Sequence, residues 1–153
     1  MRFRLKSGRL RAFARLAVAG PILALGIVAA GSQGAAIREY ATIDDHDPSG
    51  FAYALRYGAD LVKRDAGASF TLILGGRAVL LVVPGTNVAQ RDYDQLRQGA
   101  GARLQIIACG ETVTLLQQNF GQRIPVLPGV TVAPCNGRVN EMRSQGWQPM
   151  IGM

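Results

Sequence analysis

The stretch Leu104-Gln105-Ile106-Ile107-Ala108-Cys109-Gly110, running directly into Glu111-Thr112-Val113-Thr114-Leu115-Leu116, decides the fold class. An apolar run rich in β-branched residues reads as a strand, Cys109-Gly110 as its junction with the next element, and Glu111 to about Phe120 as a helix. The same alternation appears on either side. Upstream, Ser69-Phe70-Thr71-Leu72-Ile73-Leu74 is a second strand with few charges, as expected when both faces are covered, and Gly75-Gly76 ends it. Before it, Phe51, Ala54, Leu55, Ala59 and Val62 recur at helical spacing, so Phe51 to about Lys63 is an amphipathic helix. Glu39 to Ile43 is the first strand, and Asp44-Asp45-His46-Asp47-Pro48-Ser49-Gly50 stops it and caps that helix.

Between the second and third strands, Arg77 to Val83 fits helix or strand, Pro84-Gly85-Thr86-Asn87 breaks it, and Tyr93 to Gln98 reads as a short helix. Downstream, Gly129 to Ala133 is a fourth strand, Asn136 to Ser144 a helix and Trp147 to Ile151 a short terminal strand. Strands alternating with helices predict a single α/β domain with a mainly parallel sheet of about five strands flanked by helices. In such a sheet the strands end on one rim, where open α/β sheets place ligands. Asp44, His46, Gly75, Gly76, Cys109, Gly110 and Cys135 all follow strands closely and are expected there.

The chain carries 17 basic and 10 acidic residues, a net charge of +7. Six of the basic residues, Arg2, Arg4, Lys6, Arg9, Arg11 and Arg15, fall within residues 1–36, and no acid precedes Glu39. From Ile37 onward the charges nearly cancel, so a nucleic-acid role has no electrostatic footing. The basic segment leads into the apolar stretch Leu16 to Gly31 and then into Ser32-Gln33-Gly34-Ala35-Ala36. Residues 1–36 therefore read as a secretory signal, with 37–153 as the mature domain. The expected location is the periplasm or outside the cell. The alternative is a retained inner-membrane anchor, in which case the leader is the sole membrane contact. Against an anchor, the apolar stretch falls short of the roughly 20 residues that span a bilayer, and Pro21 and Gly26 interrupt it.

Familiar catalytic signatures are missing. The lone histidine, His46, has no Gly-x-Ser-x-Gly elbow to serve, and its aspartate-rich loop reads as solvated, so no metal is expected there. Gly75-Gly76 lacks the spacing of a dinucleotide loop and no phosphate-binding loop sequence occurs, so no cofactor is expected. The two cysteines remain. Cys109 is either a small core residue or, at a helix start that favours a thiolate, a nucleophile. The two readings stand even on position alone. If the strands before Cys109 and Cys135 pair directly, a disulfide between the two is geometrically allowed, and an oxidising compartment favours it.

Leu74-Gly75-Gly76-Arg77-Ala78-Val79, Ile107-Ala108-Cys109-Gly110, Leu127-Pro128-Gly129-Val130-Thr131-Val132 and Gln145-Gly146-Trp147, taken in order, resemble the DsrE/DsrF-like family over about Arg38 to Met150. The resemblance implies a small α/β fold, homo-oligomers (trimers or hexamers) and sulfur relay through a persulfide on the cysteine matching Cys109, with a sulfur donor or acceptor protein as partner. An export leader departs from the many cytoplasmic members. Cys135 departs too, standing where the pattern has a small residue; it is a candidate resolving or disulfide partner. The expected function is an exported sulfur-relay or thiol-redox protein. The alternative is a non-catalytic oligomeric module that binds a small ligand at the rim.

Overall fold

The structure, a computed structural model, describes residues 36–85 and 90–151. The expected secretory signal, residues 1–36, lies outside them apart from Ala36. So does the Thr86-Asn87 half of the proposed break. No helix among the described residues is long and apolar enough to cross a membrane.

Five strands, β1 (Arg38–Ile43), β2 (Ser69–Leu74), β3 (Leu104–Cys109), β4 (Val130–Ala133) and β5 (Gln148–Pro149), form one sheet in the order β4-β3-β2-β1-β5. Every pair is parallel, so the expected α/β class holds and the sheet is wholly parallel. The helices are α1 (Pro48–Arg64), α2 (Gln90–Ala100), α3 (Gly110–Phe120) and α4 (Arg138–Ser144).

Helix α1 begins three residues before the first apolar position of its pattern. The Asp47 side chain accepts the Ser49 N–H at 3.0 Å and Pro48 takes the first turn, where a missing N–H costs nothing. The ambiguous stretch before Pro84 is a 3-10 helix, Gly76–Val82, whose Ala78, Val79, Leu81 and Val82 are all buried. Only Gly76 and Arg77, at its start, are exposed, so no polar face recurs along it to give a periodic signal. Leu127 ties back to this segment by donating its N–H to the Val82 carbonyl at 2.8 Å. Helix α2 is longer than the Tyr93–Gln98 expected. At the other end, the expected strand Trp147–Ile151 shrinks to two residues beside β1, both exposed.

The core explains the layering. Phe51, Leu55 and Val62 of α1, Phe70, Leu72 and Leu74 of β2, and Leu104, Ile106 and Ala108 of β3 pack into one buried cluster with Tyr93 and Val113. Full burial of a side chain such as Phe51 or Phe70 contributes on the order of 2–3 kcal/mol. Gly58 lets α1 approach β2, because a Cβ there would run into the Phe70 ring and come within 2.9 Å of Leu104 Cδ1. A smaller cluster, Tyr40, Ile73, Cys109 and Met142 with half-buried Cys135, Val139 and Trp147, uses the alternate strand positions. It therefore occupies the opposite face. Right-handed crossovers account for the split: β1 to β4 advance in one direction, which puts α1, α2 and α3 on one face. The return from β4 to β5 runs the other way and puts α4 on the second.

Candidate functional site

Opposite crossovers open a crevice between the carboxyl ends of neighbouring strands whose connections leave toward different faces. Here those strands are β3, which feeds α3, and β4, which feeds α4. Cys109 ends β3 and pairs in register with Ala133, so Cys135 follows two residues beyond its strand neighbour. The Cα atoms of Cys109 and Cys135 are 5.2 Å apart and the sulfurs form a disulfide. Both sequence-derived cysteines thus meet at the switch point, as oxidised sulfur and not as free thiols.

The two sulfurs differ in access. Cys109 is 6% exposed, packed against Tyr40, Ile73 and Met142, whereas Cys135 is half-buried on the loop into α4. Cys109 is also the N-cap of the eleven-residue α3, so the free N–H groups of that helix face its side. Glu111 fixes the facing loop: its carboxylate accepts the Cys135 N–H at 3.1 and 3.2 Å and the Asn136 N–H at 3.3 Å. Its own backbone N–H and then that of Cys135, with a lesser part from Asn136, hold its carboxyl below the usual range against opposing desolvation.

A cleft of about 650 Å³ opens beside the disulfide, lined by Tyr40, Thr42, Asp44, Ile73, Val139 and Arg143 as well as both cysteines. Arg143 reaches in from the last turn of α4, and its Nε donates to Tyr40 Oη at 2.8 Å. A larger hollow, about 760 Å³, lies by the opposite ends of β3 and β4 around Arg97, Gln105 and Thr131. It holds no sulfur nucleophile and sits away from the carboxyl rim, so the smaller cleft is the better candidate.

The remaining rim residues sort by contact. Asp44 lines the cleft, and Gly75 is close to both: a Cβ on it would collide with Asp44 Oδ1 and lie 4.0 Å from Cys109 Sγ. Gly76, at φ +41, is a backbone necessity, since a Cβ there would lie 2.6 Å from the Asp44 carbonyl oxygen. Gly110 is not among the residues lining that cleft; it lines a separate hollow with Glu111 and Pro134, and a Cβ on it would meet the Ala133–Pro134 backbone at ordinary contact distances of 3.5–3.8 Å. His46 is exposed on the loop ahead of α1 and is not among the cleft-lining residues. Tyr40, Glu111 and Arg143 were missed. Glu111 had a local signal, two residues after Cys109, while Tyr40 and Arg143 lie 103 residues apart and meet only through the fold.

No family model and no curated protein sequence matches the chain. Among solved structures, it is similar to a protein of unknown function, MTH1491, from Methanobacterium thermoautotrophicum, at 19% identity and a TM-score of 0.59. The match covers 74% of this chain and 97% of that one, and it bears on the fold alone.

Proposed function

We propose that the chain is an exported thiol-redox protein whose Cys109–Cys135 disulfide exchanges with thiols or sulfur donors at the carboxyl rim. The observation that carries this reading is the asymmetry of the pair: a half-buried Cys135 beside a cleft, joined to a buried Cys109 at a helix start. An incoming thiolate attacks the accessible Cys135 Sγ, the S–S bond breaks, and its electron pair leaves on Cys109. The α3 N–H groups favour that thiolate, which makes Cys109 the better leaving group. A second thiolate then releases the first as a disulfide and leaves both cysteines reduced. In the sulfur-relay form of the reading, the freed Cys109 thiolate attacks the outer sulfur of a persulfide, takes it up, and expels the donor thiolate.

Equilibration with glutathione buffers, followed by alkylation and mass spectrometry, tests the proposal. Cys109→Ala should trap a mixed disulfide on Cys135, and wild type should return to the intramolecular disulfide when the thiol is removed. A disulfide that stays closed in the folded protein under excess dithiol defeats the reading. The binding-module alternative draws on the cleft itself, where Arg143 presents a guanidinium to a small anion. A ligand-induced rise in melting temperature that survives in a variant lacking both cysteines would favour it.

A further inference from the structure

The atoms that meet at the switch point also make a ligand set. One ligand atom each from Cys109, Glu111 and Cys135 lie within 4.8 Å of one another, two from the β3–α3 junction and one from the loop that faces it. Cys109 is fixed by the end of β3, Glu111 by the first turn of α3, and Cys135 by the loop that Glu111 itself holds. From these positions we infer that the reduced protein binds a divalent zinc-like cation through the Cys109 and Cys135 sulfurs and a Glu111 carboxylate oxygen. The inference rests on the proposed opening of the disulfide.

The geometry is compatible with such a site. Zinc–sulfur bonds of about 2.3 Å and zinc–oxygen bonds of about 2.0–2.2 Å place tetrahedral ligand atoms roughly 3.5–3.8 Å apart. The sulfurs must separate to that distance, which side-chain rotation about Cα atoms 5.2 Å apart supplies. Glu111 Oε1 accepts from both the Cys135 and Asn136 N–H groups, whereas of these two donors Oε2 accepts only the Cys135 N–H, so Oε2 is the oxygen that keeps a lone pair to ligate. Backbone donors to a ligating carboxylate are the usual means of orienting it. Three protein ligands leave a fourth position for water on the exposed Cys135 side, the arrangement of an open zinc site.

Disulfide and cation exclude each other, because the same two sulfurs serve both. Reduction by a phosphine in water gives two thiols and the phosphine oxide. Binding of the cation then displaces the two thiol protons, giving two thiolate–metal bonds and two protons in solution. The site is therefore present only in the reduced protein and is erased by oxidation.

Cobalt(II) is the probe, added to the full chain reduced with a water-soluble phosphine. The expected result is one cobalt per chain, a near-ultraviolet thiolate-to-cobalt charge-transfer band that zinc bleaches, and no band with the oxidised chain. Glu111→Gln should weaken binding at least tenfold. X-ray absorption of the cobalt-loaded wild type, which does not depend on the variant folding, should read two sulfurs per metal. A reducible disulfide with no band, a sulfur count other than two, or a folded Glu111→Gln chain with unchanged affinity overturns the cation site and leaves thiol exchange standing. A disulfide that the phosphine cannot open in the folded protein overturns both.

Discussion

Cys109 pairs in register with Ala133, and two residues past that neighbour Cys135 turns back to close a covalent loop across 26 positions. The loop encloses α3 and β4, the last helix on one face and the edge strand beside it. A cross-link of that span removes chain entropy from the unfolded state worth about 3.5 kcal/mol. A Cys109→Ala, Cys135→Ser chain should lose roughly that much stability in urea against oxidised wild type, and little against reduced wild type. Linkage runs both ways: whatever the bond adds to the fold, the fold adds to the bond's resistance to reduction. A loss below about 1 kcal/mol would place the unfolded-state entropy term elsewhere and mark the bond as easily opened.

Gly76 and Gly110 should respond differently to the same substitution. Gly76→Ala puts a Cβ against the Asp44 carbonyl at a positive φ, where an L-residue pays about 1–2 kcal/mol before any clash. That carbonyl also accepts the Ala78 N–H at 3.1 Å, so the 3-10 helix moves with it. A total loss of about 2 kcal/mol or more is expected from denaturation. Gly110→Ala meets only ordinary contacts at 3.5 Å and begins a helix, so its stability should change by less than about 1 kcal/mol.

Tyr57 on α1 donates its hydroxyl to Glu39 of β1 at 2.6 Å. That hydrogen bond, then burial and the Glu39 charge, push the phenol from 10.0 to about 12. A raised acid pKa means that the neutral phenol is the form the fold favours. The contribution is whole below pH 10 and is lost as pH climbs toward 12. Phenolate absorbance should show Tyr57 ionising late, as does Tyr93, whose phenol is also pushed up by burial, and Glu39→Ala should bring the Tyr57 step alone back toward 10. Two tyrosines still ionising late in that variant would assign the Tyr57 shift to another residue.

Assembly can be read by light scattering. The mature domain is small enough for intersubunit burial to matter, and the sequence resemblance points to trimers or hexamers. A trimer or hexamer is the expected mass at micromolar concentration; a monomer would remove that part of the reading.

N-terminal sequencing of the protein recovered from cells should begin between about Gly34 and Arg38, as a signal ending in Gly34-Ala35-Ala36 requires. An intact Met1 on membrane-held protein would show a retained anchor.

The sheet was legible because β2 is buried from Phe70 onward and β3 everywhere but Gln105, so both read as mostly apolar runs without charges. Strand β5 was overdrawn for the opposite reason. Gln148 and Pro149 are exposed and join the sheet only through backbone pairing to Glu39 and Tyr40, which leaves no apolar pattern to set its ends. The rim was legible as a place, since all strands of a parallel sheet end together. Its chemistry was only half legible. Proximity of Cys109 and Cys135 followed from strand pairing, but their relative access did not, because α4 decides it from the far face. Arg143 beside Tyr40 depends on the same helix crossing back over the sheet.

Pairing of β5 with β1 also decides where the chain tolerates additions. The Met150 N–H donates to the Tyr40 carbonyl at 2.7 Å, and Met150 is itself part of the cleft wall. An insertion beside Met150 would therefore disturb the wall of the cleft that also holds Cys135. Arg38 begins β1 at the amino end of the parallel strands, away from the rim that carries the cysteines, so an insertion just before it keeps clear of the sulfur chemistry.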